Sequence, residues 1–172
     1  GGLRSGTFVM NTLQKLDSAV GGKLMPHTML ISGASGGMLA ATYYRELYWK
    51  NQNDSLLDLY NPVYADNIAK DLLNPLFSSM VARDIFSPAQ KFTVGRFKYV
   101  KDRGYAFEQK LSMNTRGFLD KQLKDYASDE KAANIPLIFY NSVVTRDSRK
   151  MIISTQPVSF MMQGWQDTTR IP

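Results

Sequence analysis

Ser35 stands in the run Gly33-Ala34-Ser35-Gly36-Gly37, a pattern that presents a serine hydroxyl for attack on a carbonyl. A serine becomes a nucleophile when a tight, glycine-flanked turn between a strand and a helix lifts its Oγ clear of neighbouring side chains and holds its backbone under strain. The free N–H groups of the helix that follows then favour negative charge developing on the substrate. The other account of the same residues is an ordinary glycine-rich connection in which Ser35 caps a helix. A second cluster, Gly1-Gly2-Leu3-Arg4, opens the sequence. The backbone N–H groups of Gly1, Gly2 and Leu3 suit an oxyanion if this loop lies beside Ser35, and Arg4 can support the loop or meet a phosphate. Terminal glycines also arise as cloning remnants.

Composition narrows the chemistry. The 172 residues suit one domain with a real core, and 44% hydrophobic with 21% charged residues is ordinary for a globular protein. Cysteine is absent, which removes thiol nucleophiles and thiolate metal sites, and His27 is the only histidine, which removes a metal site built on several imidazoles. No cofactor is expected. The net charge of +6 favours anionic partners, but Lys and Arg are scattered and no nucleic-acid reader motif is present, so nucleic acid is not an expected partner. No apolar run approaches the ~20 residues that cross a bilayer.

The elements that must position Ser35 follow from periodicity. Val9, Leu13, Leu16 and Val20 share one face of a predicted first helix, which Gly21-Gly22 ends. Residues 28–32 predict a short buried strand and residues 38–49 a helix, placing Ser35 at the turn between them. Residues 56–90 predict short helical pieces broken by Pro62, Pro75 and Pro88, residues 92–103 a basic and aromatic loop, and residues 105–113 and 117–126 two helices. Residues 127–134 read as a polar connector. Residues 136–144 predict a strand, 145–149 a turn, 151–155 a returning strand and 156–172 an irregular tail. Strands alternating with helices predict an α/β domain with a mainly parallel central sheet and a late hairpin.

The pairing of Gly1-Gly2-Leu3-Arg4 before the first helix with Gly33-Ala34-Ser35-Gly36-Gly37 before the second resembles the patatin-like phospholipase family, to which the catalytic domains of cytosolic phospholipase A2 are related. Residues 1–50 carry the resemblance, 51–133 would be the variable helical region, and 134–160 look like the family's following strand and hairpin. The resemblance implies a three-layer α/β/α fold, incomplete in residues 1–172. It also implies a lipid acyl hydrolase in which Ser35 attacks an acyl ester and an aspartate, not a histidine, is the general base. A Ser-His-Asp triad would have to use His27, which lies ~16 Å of extended chain from the turn. The family's aspartate sits in a D-G-G or D-G-A motif, and this sequence contains neither. Asp147 and Asp167 lack the glycine context and are not assigned that role. The expectation is a piece truncated at both ends, inactive alone, whose base lies beyond it.

Two other functions fit the residues. A serine acyltransferase would use a similar turn, but the histidine that usually precedes its serine is Ala34 here. A non-catalytic lipid- or phosphate-binding module would use the glycine loop, Arg4 and the basic stretch 91–103. That stretch interleaves Phe92, Phe97, Tyr99 and Tyr105 with Lys91, Arg96, Lys98, Lys101 and Arg103, and reads as a membrane-facing surface or lid, or as a solvated loop with its aromatics in the core. The expected partner is a lipid or phospholipid substrate, with a membrane surface as a further candidate.

Overall fold

A buried carboxylate sets how the first helix packs. In the computed structural model, which describes residues 2–54, 56–85 and 90–161, helix α1 (Gly2–Ala19) turns Gly6, Met10, Gln14 and Asp17 inward. Asp17 is 1% exposed and accepts hydrogen bonds from the Tyr44 hydroxyl at 2.6 Å and the Leu24 N–H at 2.8 Å. The Gln14 amide donates to the Leu59 and Asn61 carbonyls at 2.9 and 3.0 Å. The expected face is therefore rotated: Val9 and Leu13 are half-buried, while Leu16 and Val20 lie 49% and 47% exposed. Periodicity of apolar residues alone misassigns a face whose polar members find partners inside. At the other end the Gly22 N–H donates to the Asp17 carbonyl at 2.8 Å, closing the helix where the two glycines predicted it.

Strand β1 (Leu30–Gly33) leads directly into α2 (Ser35–Asn51). The middle of the chain forms α3 (Val63–Ala69) and α4 (Asn74–Ser79), the latter continuing as a π-type turn over Met80–Ile85. Next come strands β2 (Lys91–Val94) and β3 (Phe97–Val100), then α5 (Arg103–Asn114). Helix α6 (Ala127–Lys131) precedes β4 (Leu137–Val143) and β5 (Lys150–Ile153).

Two expectations fail here. Residues 92–103 are not a loop: they form most of an antiparallel hairpin with a two-residue turn, Gly95-Arg96, in which Gly95 takes φ +58°. Residues 117–126 are turns ending in a 3-10 segment at Leu123–Tyr126, and the helix lies in the expected connector. The reason is local: the Gly117 N–H closes α5 on the Ser112 carbonyl at 2.8 Å, and Asp125 and Gln122 form a capping box that starts helical structure only at Leu123.

The protein is an α/β structure with a small mixed sheet, order β1-β4-β5. Strands β1 and β4 run parallel with Ile31 opposite Ile138 and Gly33 opposite Tyr140, and β4 and β5 form the late antiparallel hairpin. The sheet is thus mixed rather than mainly parallel. Helix α2 lies between two cores. One side packs Ala40, Tyr43, Tyr44 and Leu47 against Met10 of α1 and Ile68 of α3; the other packs Met38 and Ala41 against Ile138 of the sheet. Burial of the larger apolar side chains, Met10, Met38, Leu47, Ile68 and Ile138, stabilises the fold by about 1.5–3 kcal/mol each. No described helix is long and apolar enough to cross a membrane.

Two buried phenols make the fold sensitive to alkali. Burial, and then a carboxylate partner, pushes both Tyr44 (to Asp17) and Tyr126 (to Glu46, 2.6 Å) well above the ordinary tyrosine value. Because the folded pKa exceeds the unfolded one near 10, their contribution is complete below pH 10 and is lost as pH rises toward the folded values. One unit above the unfolded pKa the loss is about 1.4 kcal/mol per tyrosine. Urea midpoints are expected to be level between pH 8 and 9 and to fall by pH 11, and Tyr44→Phe is expected to shrink that fall; an undiminished fall in that variant would contradict the assignment.

Candidate functional site

The site is built where two helices begin. Ala34 is extended at φ −145°, and Ser35, the first residue of α2, has φ +61°. That left-handed conformation costs a serine about 1–2 kcal/mol. Ala34, not Ser35, occupies the N-cap position, and no side-chain bond caps this end. The Ser35 residue is exposed, and its hydroxyl has no hydrogen-bond partner among the described residues. The account of Ser35 as a helix cap therefore finds no support in the geometry.

Gly36 explains how the second glycine cluster reaches the first. A Cβ at Gly36 would lie 2.1 Å from the Gly2 carbonyl oxygen and 2.8 Å from its carbon, so the two backbones touch where no side chain fits. The Ser5 hydroxyl donates to the same Gly2 carbonyl at 2.7 Å. A Cβ at Gly37 would meet only side-chain atoms, Val9 Cγ2 at 3.2 Å and Ser5 Oγ at 3.9 Å. Gly36→Ala is thus expected to cost about 3 kcal/mol through overpacking against backbone, and Gly37→Ala under about 1 kcal/mol because a side chain can give way. Thermal unfolding of the two variants checks this; equal losses would contradict the close approach.

Gly2, Leu3, Ala34, Ser35 and Gly36 line one cavity of about 580 Å³, within the range that holds a small ligand. The first turns of α1 and α2 carry no acidic residue, so both positive helix ends remain available to an anion. The remaining walls are largely apolar: Met38, Leu39, Leu73, Phe107 and Ile153. Gly1 lies outside the described residues. Arg4 is exposed and does not line the cavity. Gly33 ends β1 beneath Ser35, where a Cβ would meet Met38 Sδ at 3.2 Å.

Sequence reasoning missed Asn141. Its Nδ2 donates to Ser32 Oγ at 2.9 Å and to the Gly33 carbonyl at 3.3 Å, fastening the end of β1 to β4 just before the Ser35 turn. A signal was present: asparagine is depleted in strands, yet Asn141 sits inside a strong strand pattern. Tyr140, on the opposite face, shares a 2.9 Å hydrogen bond with Thr42 of α2, and burial raises its phenol above the usual value.

The other candidates lie elsewhere. His27 is exposed, precedes β1 at the end away from Ser35, and its Nδ1 bonds the Lys23 carbonyl at 2.8 Å. Asp147 is in the turn after β4, paired with Arg149 at 2.8 Å, which holds its carboxyl below the usual range. Asp167 is outside the described residues. No protein-family model, curated protein or solved structure matches this chain.

Proposed function

We propose that the chain supplies the nucleophile and oxyanion cradle of a lipid acyl hydrolase of the patatin-like kind, on a three-layer α/β/α scaffold. One observation carries this reading: Ser35, at φ +61°, is exposed in a cavity lined by the first turns of two helices pressed together at Gly2 and Gly36. In the proposed reaction Ser35 Oγ attacks the acyl carbonyl and its proton passes to a base. Backbone N–H groups at Gly2 and Leu3, and at the start of α2, receive the oxyanion. The alcohol leaves with the transferred proton, and water then releases the acid from the acyl-serine. Met38, Leu39, Leu73, Phe107 and Ile153 offer the chain of a fatty acid an apolar wall. The base of this scheme is the aspartate of a D-G-G or D-G-A motif, which these 172 residues do not contain.

A fluorophosphonate probe, which reacts with activated serines, tests the reading in a chain that carries such a motif. Mass spectrometry is expected to place a single adduct on Ser35. An adduct elsewhere, or none, sinks the proposal.

A further inference from the structure

The β2–β3 hairpin stands apart from the main sheet, pairing only with itself among the described residues. Its register places Phe92 opposite Tyr99, Thr93 opposite Lys98 and Val94 opposite Phe97. Alternation then puts Phe92, Val94, Phe97 and Tyr99 on one face and Lys91, Thr93, Lys98 and Val100 on the other. The inner end of the aromatic face is anchored: Phe92 stacks on Tyr99 at 5.5 Å and packs on Tyr105 of α5 at 4.8 Å. Its outer end is open, with Phe97 55% and Val94 46% exposed. Residues 91–103 hold five cations and one acid, Asp102, whose carboxylate caps α5 by accepting the Tyr105 N–H at 3.0 Å.

We infer that this hairpin seats the protein on an anionic lipid bilayer, with the tip Val94-Gly95-Arg96-Phe97 entering the headgroup–acyl boundary. The chemistry matches on both counts. Apolar tip residues gain from the boundary region, and Lys91, Arg96 and Lys98 gain from lipid phosphates and carboxylates. Valines at 94 and 100 offer a nucleic acid no stacking surface, whereas a bilayer interface takes aliphatic and aromatic groups alike. The Arg96 guanidinium lies over the Phe97 ring at 5.1 Å, so charge and apolar surface arrive together. Tyr105 holds the hairpin from one side of α5, and Phe107, two residues on, lines the Ser35 cavity. Seating the hairpin therefore presents that cavity at a fixed position relative to the lipid. The inference rests on the lipid-hydrolase reading for its purpose, while its test does not need catalysis.

Sedimentation of the whole chain with phosphatidylcholine vesicles, with and without phosphatidylserine, tests it. Each cation near an anionic surface strengthens binding about fivefold. Arg96→Gln with Lys98→Gln is expected to weaken binding to the anionic vesicles by about 25-fold, and Phe97→Ser by about tenfold. Ser35→Ala is expected to bind as the unaltered chain does. Equal binding to both vesicles, or unchanged binding by the hairpin variants, overturns the inference. So does a dimer in lipid-free sedimentation velocity that Phe97→Ser dissolves, which assigns the face to a second copy, or tighter binding to single-stranded nucleic acid than to vesicles. Vesicle binding that survives a failed Ser35 labelling overturns only the hydrolase reading.

Discussion

Alanine at position 35 is expected to lower the proposed ester hydrolysis by about 10⁴-fold or more in a chain that also carries the aspartate base, because the bond-forming oxygen is removed while the cavity remains. The same position makes an opposite forecast for stability. Ser35 occupies left-handed backbone at φ +61°. Glycine there would shed the Cβ strain, so Ser35→Gly is expected to abolish activity and raise unfolding stability by about 1 kcal/mol. Ser35→Ala keeps a Cβ and should not gain it. Activity and denaturant midpoints measured on both variants separate a nucleophile held under strain from a surface serine. Retained hydrolysis in either variant, or no stability difference between them, would remove the argument.

The second large effect lies in the helix that carries Ser35. Arg45 of α2 pairs with Glu130 of α6, and the two side chains are 1% and 0% exposed. Arg45 also donates to the Pro136 carbonyl at 2.9 Å and lies over the Tyr126 ring at 4.6 Å, and Glu130 accepts from Thr155. The Nε and Nη2 groups of Arg45 are buried without a hydrogen-bond partner among the described residues, so the guanidinium leans heavily on Glu130. Glu130→Ala should cost about 3–5 kcal/mol, since it strands a buried charge. Replacing both members, as Arg45→Met with Glu130→Leu, should cost far less, because the uncompensated charge disappears with its partner. Chemical denaturation of Arg45→Met, Glu130→Leu and the double closes the cycle. A Glu130→Ala loss below about 1 kcal/mol would show the pair to be replaceable by solvent.

What was legible from the residues divides along sequence separation. The strand and helix around Ser35 and the late hairpin were visible because their signals are contiguous. The inward face of α1 was not, because Asp17 and Gln14 are satisfied by Tyr44 and by the Leu59 carbonyl, far along the chain. The β2–β3 hairpin was hidden for a different reason. Its alternation is present in Phe92-Thr93-Val94 and Phe97-Lys98-Tyr99, but so many cations in an exposed, two-stranded ribbon weaken the contrast that alternation normally gives. The contact between Gly2 and Gly36 could be suspected from residue type. Only the fold gives it a distance. The Arg45–Glu130 pair, with its partners 85 positions apart, carried no local signal.

The position of His27 has one more consequence. The single imidazole of the chain is spent on a backbone carbonyl at the far end of β1. Hydrolases that route a serine proton through imidazole stop as that ring charges near pH 6.5. A carboxylate remains ionised to near pH 4. For the proposed serine–aspartate pair, hydrolysis by a chain that carries the aspartate is expected to persist between about pH 7 and pH 5.5, and a loss centred near pH 6.5 would return the proton to an imidazole.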